Sequence, residues 1–150
     1  MTKKKQMRVL LVEDNLHDIE ITKRAFSKAP VKVDLVVVRY GQDALDYLNH
    51  CARFHPPDIS PRPEMILLDL NLPRMNGLEV LRKIKQDAHL RSIPVIILTV
   101  SERSQDILPS YDLGANTYIQ KPVAFSDFLR VVKGIQEYWM GIASLPTEGN

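Results

Sequence analysis

The sequence is short of several things. It holds one cysteine, Cys51, in 150 residues, so no internal disulfide can form, which fits a reducing compartment. No apolar run comes near the roughly 18–20 residues that a membrane span needs. No secretory leader is expected, because the early lysines are followed only by the short apolar run Val9–Val12. An excess of one charge is also missing: 20 Lys and Arg stand against 18 Asp and Glu, a net charge of +2. That balance implies no strongly charged partner. The cluster Lys3, Lys4 and Lys5 reads as a solvated tail, since a nucleic-acid interface takes a wider basic face. The loop after Val12, running Glu13 to Asp18, has no glycine, which argues against a nucleotide or flavin site.

What is present is a core and a rhythm. The chain is 45% hydrophobic, and its length suits one domain. Five apolar runs read as strands: Val9–Val12, Val33–Val38, Met65–Leu68, Val95–Leu98 and Thr117–Ile119. Between and after them, apolar residues recur three and four apart, as on one face of a helix. Leu16, Ile19 and Phe26 mark the first such face, and Ala44, Leu45, Leu48 and Cys51 the second. Leu78, Leu81 and Ile84 mark the third, and Ile107, Leu108 and Tyr111 a short fourth. Phe125, Phe128, Leu129, Val132 and Ile135 mark the fifth. Cys51 thus reads as a half-buried small residue. Strict alternation predicts a doubly wound five-stranded parallel sheet with helices on both faces. Asp34 in the second run, and Asn116 and Gln120 around the fifth, put those two strands at the edges, giving the order 2-1-3-4-5. Four prolines between Arg53 and Pro63 predict an extended surface connection, and Pro109 predicts a short or irregular fourth helix. A tail at 1–6, a folded domain at 7–140 and a tail at 141–150 complete the expected layout.

The carboxyl ends of parallel strands share one edge of the sheet, where ligands settle in such folds. Glu13 and Asp14 follow the first strand and Asp69 the third; Thr99 follows the fourth, and Lys121-Pro122 comes after the fifth. Converging carboxylates repel, and a hard divalent cation with oxygen ligands relieves that. Each residue alone has an ordinary structural explanation, as a cap, a turn or a strand residue. Their joint placement points to phosphoryl chemistry. No histidine accompanies them: His17, His50, His55 and His89 read as surface residues of helices or loops.

These residues resemble the receiver domains of two-component response regulators over about 7–136. The motif is carried by Val12-Glu13-Asp14, by the phrase Asp69-Leu70-Asn71-Leu72-Pro73-Arg74-Met75-Asn76-Gly77, by Thr99 and by Lys121-Pro122. The resemblance implies a flavodoxin-like fold. It implies that Asp69 is the nucleophile, taking a phosphoryl group from a phosphohistidine on a sensor histidine kinase. It implies magnesium, or manganese in its place, held by Asp14, by Glu13 through a water, by Asp69 and by the Asn71 carbonyl. Lys121 and Thr99 would contact phosphoryl oxygens, and Tyr118 would be the aromatic switch. The Lys-Pro bond is often cis in this family. The resemblance also implies a cytoplasmic protein that catalyses only its own phosphorylation and dephosphorylation, without small-molecule turnover. The Asp69–Gly77 phrase, the proline-rich insert and the Gly114-Ala115-Asn116 turn resemble stand-alone regulators paired with bacterial phytochrome kinases. Such a regulator has no nucleic-acid or membrane partner and forms a homodimer through the fourth helix, fifth strand and fifth helix. Phe125, Phe128, Tyr138 and Trp139 are candidates for that contact, although core packing explains the two phenylalanines equally well.

Three rivals compete. A phosphatase with a strand-end aspartate usually has a second acid two residues on, where this chain has Asn71. A flavodoxin-like flavin domain is disfavoured by the glycine-free first loop. A phosphorylation-independent receiver-like binding module would have lost an acid, the threonine or the lysine, and none is lost. One departure from the common family pattern is Val100, where a smaller residue such as alanine is usual. Its branched side chain should crowd water attacking the phosphoryl group. The expected outcome is faster loss of the group in Val100→Ala, followed by mass spectrometry over time; an unchanged rate contradicts it.

Overall fold

The computed structural model describes residues 6–29, 31–101 and 103–146. Lys3, Lys4 and Lys5 lie outside the described residues, as do the last four positions of the expected C-terminal tail. Five strands, β1 (Met7–Val12), β2 (Val33–Val38), β3 (Met65–Leu68), β4 (Val95–Thr99) and β5 (Thr117–Gln120), form one parallel sheet in the order β2-β1-β3-β4-β5. The helices are α1 (Leu16–Ser27), α2 (Gly41–Asn49), α3 (Gly77–Gln86), α4 (Ser104–Asp112) and α5 (Phe125–Ile135). Among the described residues, no helix is long and apolar enough to cross a membrane.

The inner strands are apolar on both faces because both faces are covered. Leu10, Val12, Ile66, Leu68, Val95 and Ile97 pack under α2 and α3. Val9, Leu11, Met65, Leu67, Ile96 and Leu98 pack under α1 and α5. The edge strands β2 and β5 are only half-buried over most of their length, as Asp34 and Gln120 suggested. Asn15 caps α1, its side-chain oxygen accepting from the Asp18 N–H at 2.9 Å, and Asn76 caps α3 in the same way onto Glu79 at 3.0 Å.

Several local expectations are corrected. Leu16 is 62% exposed, because α1 begins there and its first turn overhangs the sheet edge beyond the core. α2 stops at Asn49, with His50 in the left-handed region at φ 57°, so Cys51 lies outside the helix and is exposed. His50 is not a free surface residue: its Nδ1 is 2.8 Å from the fully buried Ser60 hydroxyl. The proline-rich stretch is not extended. It folds into two short 3-10 turns, Ala52–Phe54 and Pro57–Ile59, pinned by Ser60 and by the Tyr47 hydroxyl donating to the Pro61 carbonyl at 2.7 Å. The cis peptide bond among the described residues is His55–Pro56, and Lys121–Pro122 is not cis. α4 runs through Pro109 and is short, at nine residues. Its apolar stripe faces outward: Leu108 is 64% exposed and Tyr111 47%, while Ser110 is the residue it buries. Past α5 the chain winds one wider turn, Gln136–Met140, and Leu145 packs against the α1–α5 side of the core.

Gly77 opens α3 against the backbone that carries Asp69. A Cβ there would come within 2.3 Å of the Asp69 carbonyl oxygen and 2.5 Å of the Leu70 Cα. Both are main-chain atoms that cannot swing aside. Gly77→Ala should therefore cost about 3 kcal/mol of stability by overpacking, more than the ~1 kcal/mol gained in helix propensity. Urea unfolding checks this, and a variant as stable as the parent would contradict it.

Candidate functional site

Sheet register brings the site together. Val12 pairs with Val38 on one side and Leu68 on the other, so Glu13 and Asp69 leave adjacent strands at the same level. The ladder runs on into the site: the Asp69 N–H donates to the Val12 carbonyl at 3.1 Å, and the Lys121 N–H to the Thr99 carbonyl at 2.7 Å. Glu13, Asp14, Asp69, Asn71 and Lys121 line one cleft of about 240 Å³.

Lys121 organises the floor of this cleft. Its Nζ donates to Glu13, to Asp18 at 2.9 Å and to Asp69 at 3.2 Å, and only 5% of its side chain is exposed. The other Asp69 oxygen accepts from the Asn71 N–H at 3.1 Å. Burial pushes the Asp69 carboxyl up, but Lys121, Glu13, the nearby Thr99 hydroxyl and the Asn71 amide together bring it below its ordinary value. Burial dominates at Glu13 and raises it to about 7, with Asp69 adding repulsion and Lys121 opposing. Of the two acids, Glu13 is the one that holds its proton to higher pH. Burial also works against the Lys121 ammonium, yet Asp69 and Glu13 outweigh it and raise Lys121.

Asp14 stands apart from this network. Its Oδ1 is 3.4 Å from Arg39 Nη2, which also donates to the Asp14 carbonyl at 3.2 Å. Thr99 is fully buried beside Asp69, and its hydroxyl has no hydrogen-bond partner among the described residues. Tyr118 is half-buried, its hydroxyl donating to the Ser101 carbonyl at 2.9 Å while its N–H donates to the Tyr111 hydroxyl at 3.0 Å. Val100 is 59% exposed at the mouth of the cleft.

Of the seven residues expected from the sequence, five line the cleft, Thr99 is buried beside Asp69, and Tyr118 lies on the neighbouring edge strand. Sequence reasoning missed Asp18 and Arg39. Asp18 lies in the first turn of α1, whose N-terminus faces the strand ends, and its carboxylate reaches Lys121 from there. Arg39 follows the last residue of β2, as Glu13 follows that of β1, so the register itself pointed to it.

The donor chemistry suits a hard divalent cation, with Glu13, Asp14, Asp18, Asp69 and Asn71 around one cleft. Among the described residues, no three acidic, His or Cys side chains already surround one point. The reason is visible in the pairing: Lys121 draws Glu13 and Asp69 to itself, and Arg39 holds Asp14.

Residues 9–133 match the response regulator receiver domain. The chain belongs to that family. A receiver domain takes a phosphoryl group onto an aspartate from a partner histidine kinase, so the chain is a phosphoryl acceptor of two-component signalling. Response regulator Rcp1 of Synechocystis sp. is 37% identical over 138 residues, 92% of each chain. The crystal structure of the phosphorylated cyanobacterial phytochrome response regulator RcpA superposes with a TM-score of 0.89 at 41% identity, covering 95% of this chain and 100% of that one. The Mn(2+)-bound form of Rcp1 superposes with a TM-score of 0.86 at 36% identity, covering 94% and 99%.

The sign of the pH dependence follows from the two acids. Glu13, raised in the folded state, contributes stability below its unfolded value of 4.5 that is lost as pH rises toward 7. Asp69, lowered, contributes stability above 3.8 that is lost as pH falls through its folded value. Removing the lysine makes both acids hold protons more tightly when folded. In metal-free buffer, Lys121→Met should therefore lose about 3–5 kcal/mol at pH 8 and clearly less at pH 5. Urea midpoints at the two pH values check this; a loss independent of pH would contradict it.

Proposed function

We propose that this response regulator accepts its phosphoryl group on Asp69, and that the single observation carrying this is the buried Lys121–Asp69 pair at the carboxyl edge of the sheet. The Asp69 carboxylate attacks phosphorus of a phosphohistidine in line. A P–O bond forms as the P–N bond breaks, and the electron pair leaves with the imidazole nitrogen, which takes up a proton. Lys121 then exchanges the carboxylate for a phosphoryl oxygen. The Thr99 hydroxyl, with no partner competing for it, donates to another. Tyr118 turns inward as Thr99 moves, giving up the Ser101 carbonyl and reshaping the face of α4, β5 and α5.

Glu13, Asp14, Asp69 and the Asn71 carbonyl would hold Mg2+, or Mn2+ as in the related Rcp1 structure. When bound, that ion neutralises charge on the transferring group. The donor set fits it, and the raised Glu13 gives up its proton as a cation enters.

The likeness to RcpA supports a phytochrome-type histidine kinase as donor. The outward apolar residues Leu108 and Tyr111 of α4 support a homodimer through α4, β5 and α5. In this reading the protein works in the cytoplasm, through protein partners rather than nucleic acid or membrane. In this reading the receiver unit spans 7–140, and Leu145 just beyond it packs back onto the α1–α5 side of the core.

Intact-protein mass after incubation with a small phosphodonor and magnesium tests the assignment. The parent should gain one phosphoryl group only with metal present, and Asp69→Asn should gain none. An adduct on the variant would move the acceptor elsewhere.

A further inference from the structure

Four carboxylates stand at the cleft, and two side-chain cations divide them. Lys121 takes Glu13, Asp18 and Asp69, all from below. Asp14 is left to Arg39, which grips both its carboxylate and its own backbone carbonyl through one nitrogen. Arg39 is placed to do so by the sheet, since β1 and β2 end in register at Val12 and Val38. Its guanidinium lies 6.0 Å from the Tyr40 ring centre, a ring that Arg74 also approaches at 5.3 Å.

We infer that Arg39 is a positioning residue that competes with the divalent cation for Asp14 and so sets the metal affinity of the site. This rests on the reading of Asp14 as a metal ligand. An ion that binds the Asp14 carboxylate meets the guanidinium already there and must displace it or bear its repulsion. Arginine stays charged across the physiological range, so the competition does not fade with pH. It is screened by salt, because the Arg39 and Asp14 side chains are 44% and 35% exposed. An exposed ion pair of about 0.2–1 kcal/mol converts to about 1.4- to 5-fold in affinity.

Mn2+ titration calorimetry on the whole chain separates this from the reading beneath it. Arg39→Gln should bind Mn2+ about 1.4- to 5-fold more tightly at low salt, with the gain shrinking as salt rises. Arg39→Lys, which keeps a cation, should stay near the parent. Asp14→Asn should bind much more weakly, and the Arg39→Gln gain should vanish on that background. If Arg39→Gln binds no more tightly while Asp14→Asn is weakened, Arg39 does not compete, although Asp14 remains a ligand. If Asp14→Asn binds as the parent does, the ligand reading and the competition fall together. Urea midpoints confirm that each variant is folded, and the exposure of both side chains makes that the expected outcome.

Discussion

One buried ammonium organises this molecule's working edge. Lys121 reaches back from the end of β5 to carboxylates that leave β1, α1 and β3. Three acids could not otherwise share so small a space behind a dry sheet. Each would have to be neutralised or pushed out to water, at a cost of several kcal/mol. The lysine is the largest of the contacts that hold the Asp69 carboxyl down against burial, which favours the ionised form a nucleophile needs. The same contact makes Lys121 movable cargo: what binds a carboxylate oxygen can bind a phosphoryl oxygen in its place.

The rest of the fold exists to hold that contact in register. Parallel strands buried on both faces end together, and their backbone ladder continues one residue into the site at Glu13, Asp69 and Lys121. Gly77 lets α3 start directly against the Asp69 backbone. Thr99 and Tyr118 stand on neighbouring strands, β4 and β5, with Thr99 opposite Gln120 and Tyr118 opposite Ile97.

Much of this was legible in the sequence, for a physical reason. A strand buried on both faces writes an unbroken apolar run, and the first polar residue after it marks the edge. Asp69, Thr99 and the Glu13–Asp14 pair were found that way. Asp18 was not, because an acid one turn into a helix looks like any first-turn acid favoured by the helix dipole. Arg39 was not, because an edge strand blurs the boundary between apolar run and polar end. The outward stripe of α4 could not be oriented from the sequence, because periodicity reports that a face exists and not which way it points. The proline-rich loop misled because prolines forbid regular ladders yet allow tight turns, and buried Ser60 supplied the hydrogen bonds that close them.

On the proposed mechanism the phosphoryl group sits on Asp69 and nowhere else. Borohydride reduction of the phosphorylated chain, followed by peptide mapping, converts an acyl phosphate on an aspartate into homoserine at that position. Homoserine is expected at position 69 alone. Reduction at Glu13, Asp14 or Asp18, or a phosphoryl group that resists borohydride, would contradict it.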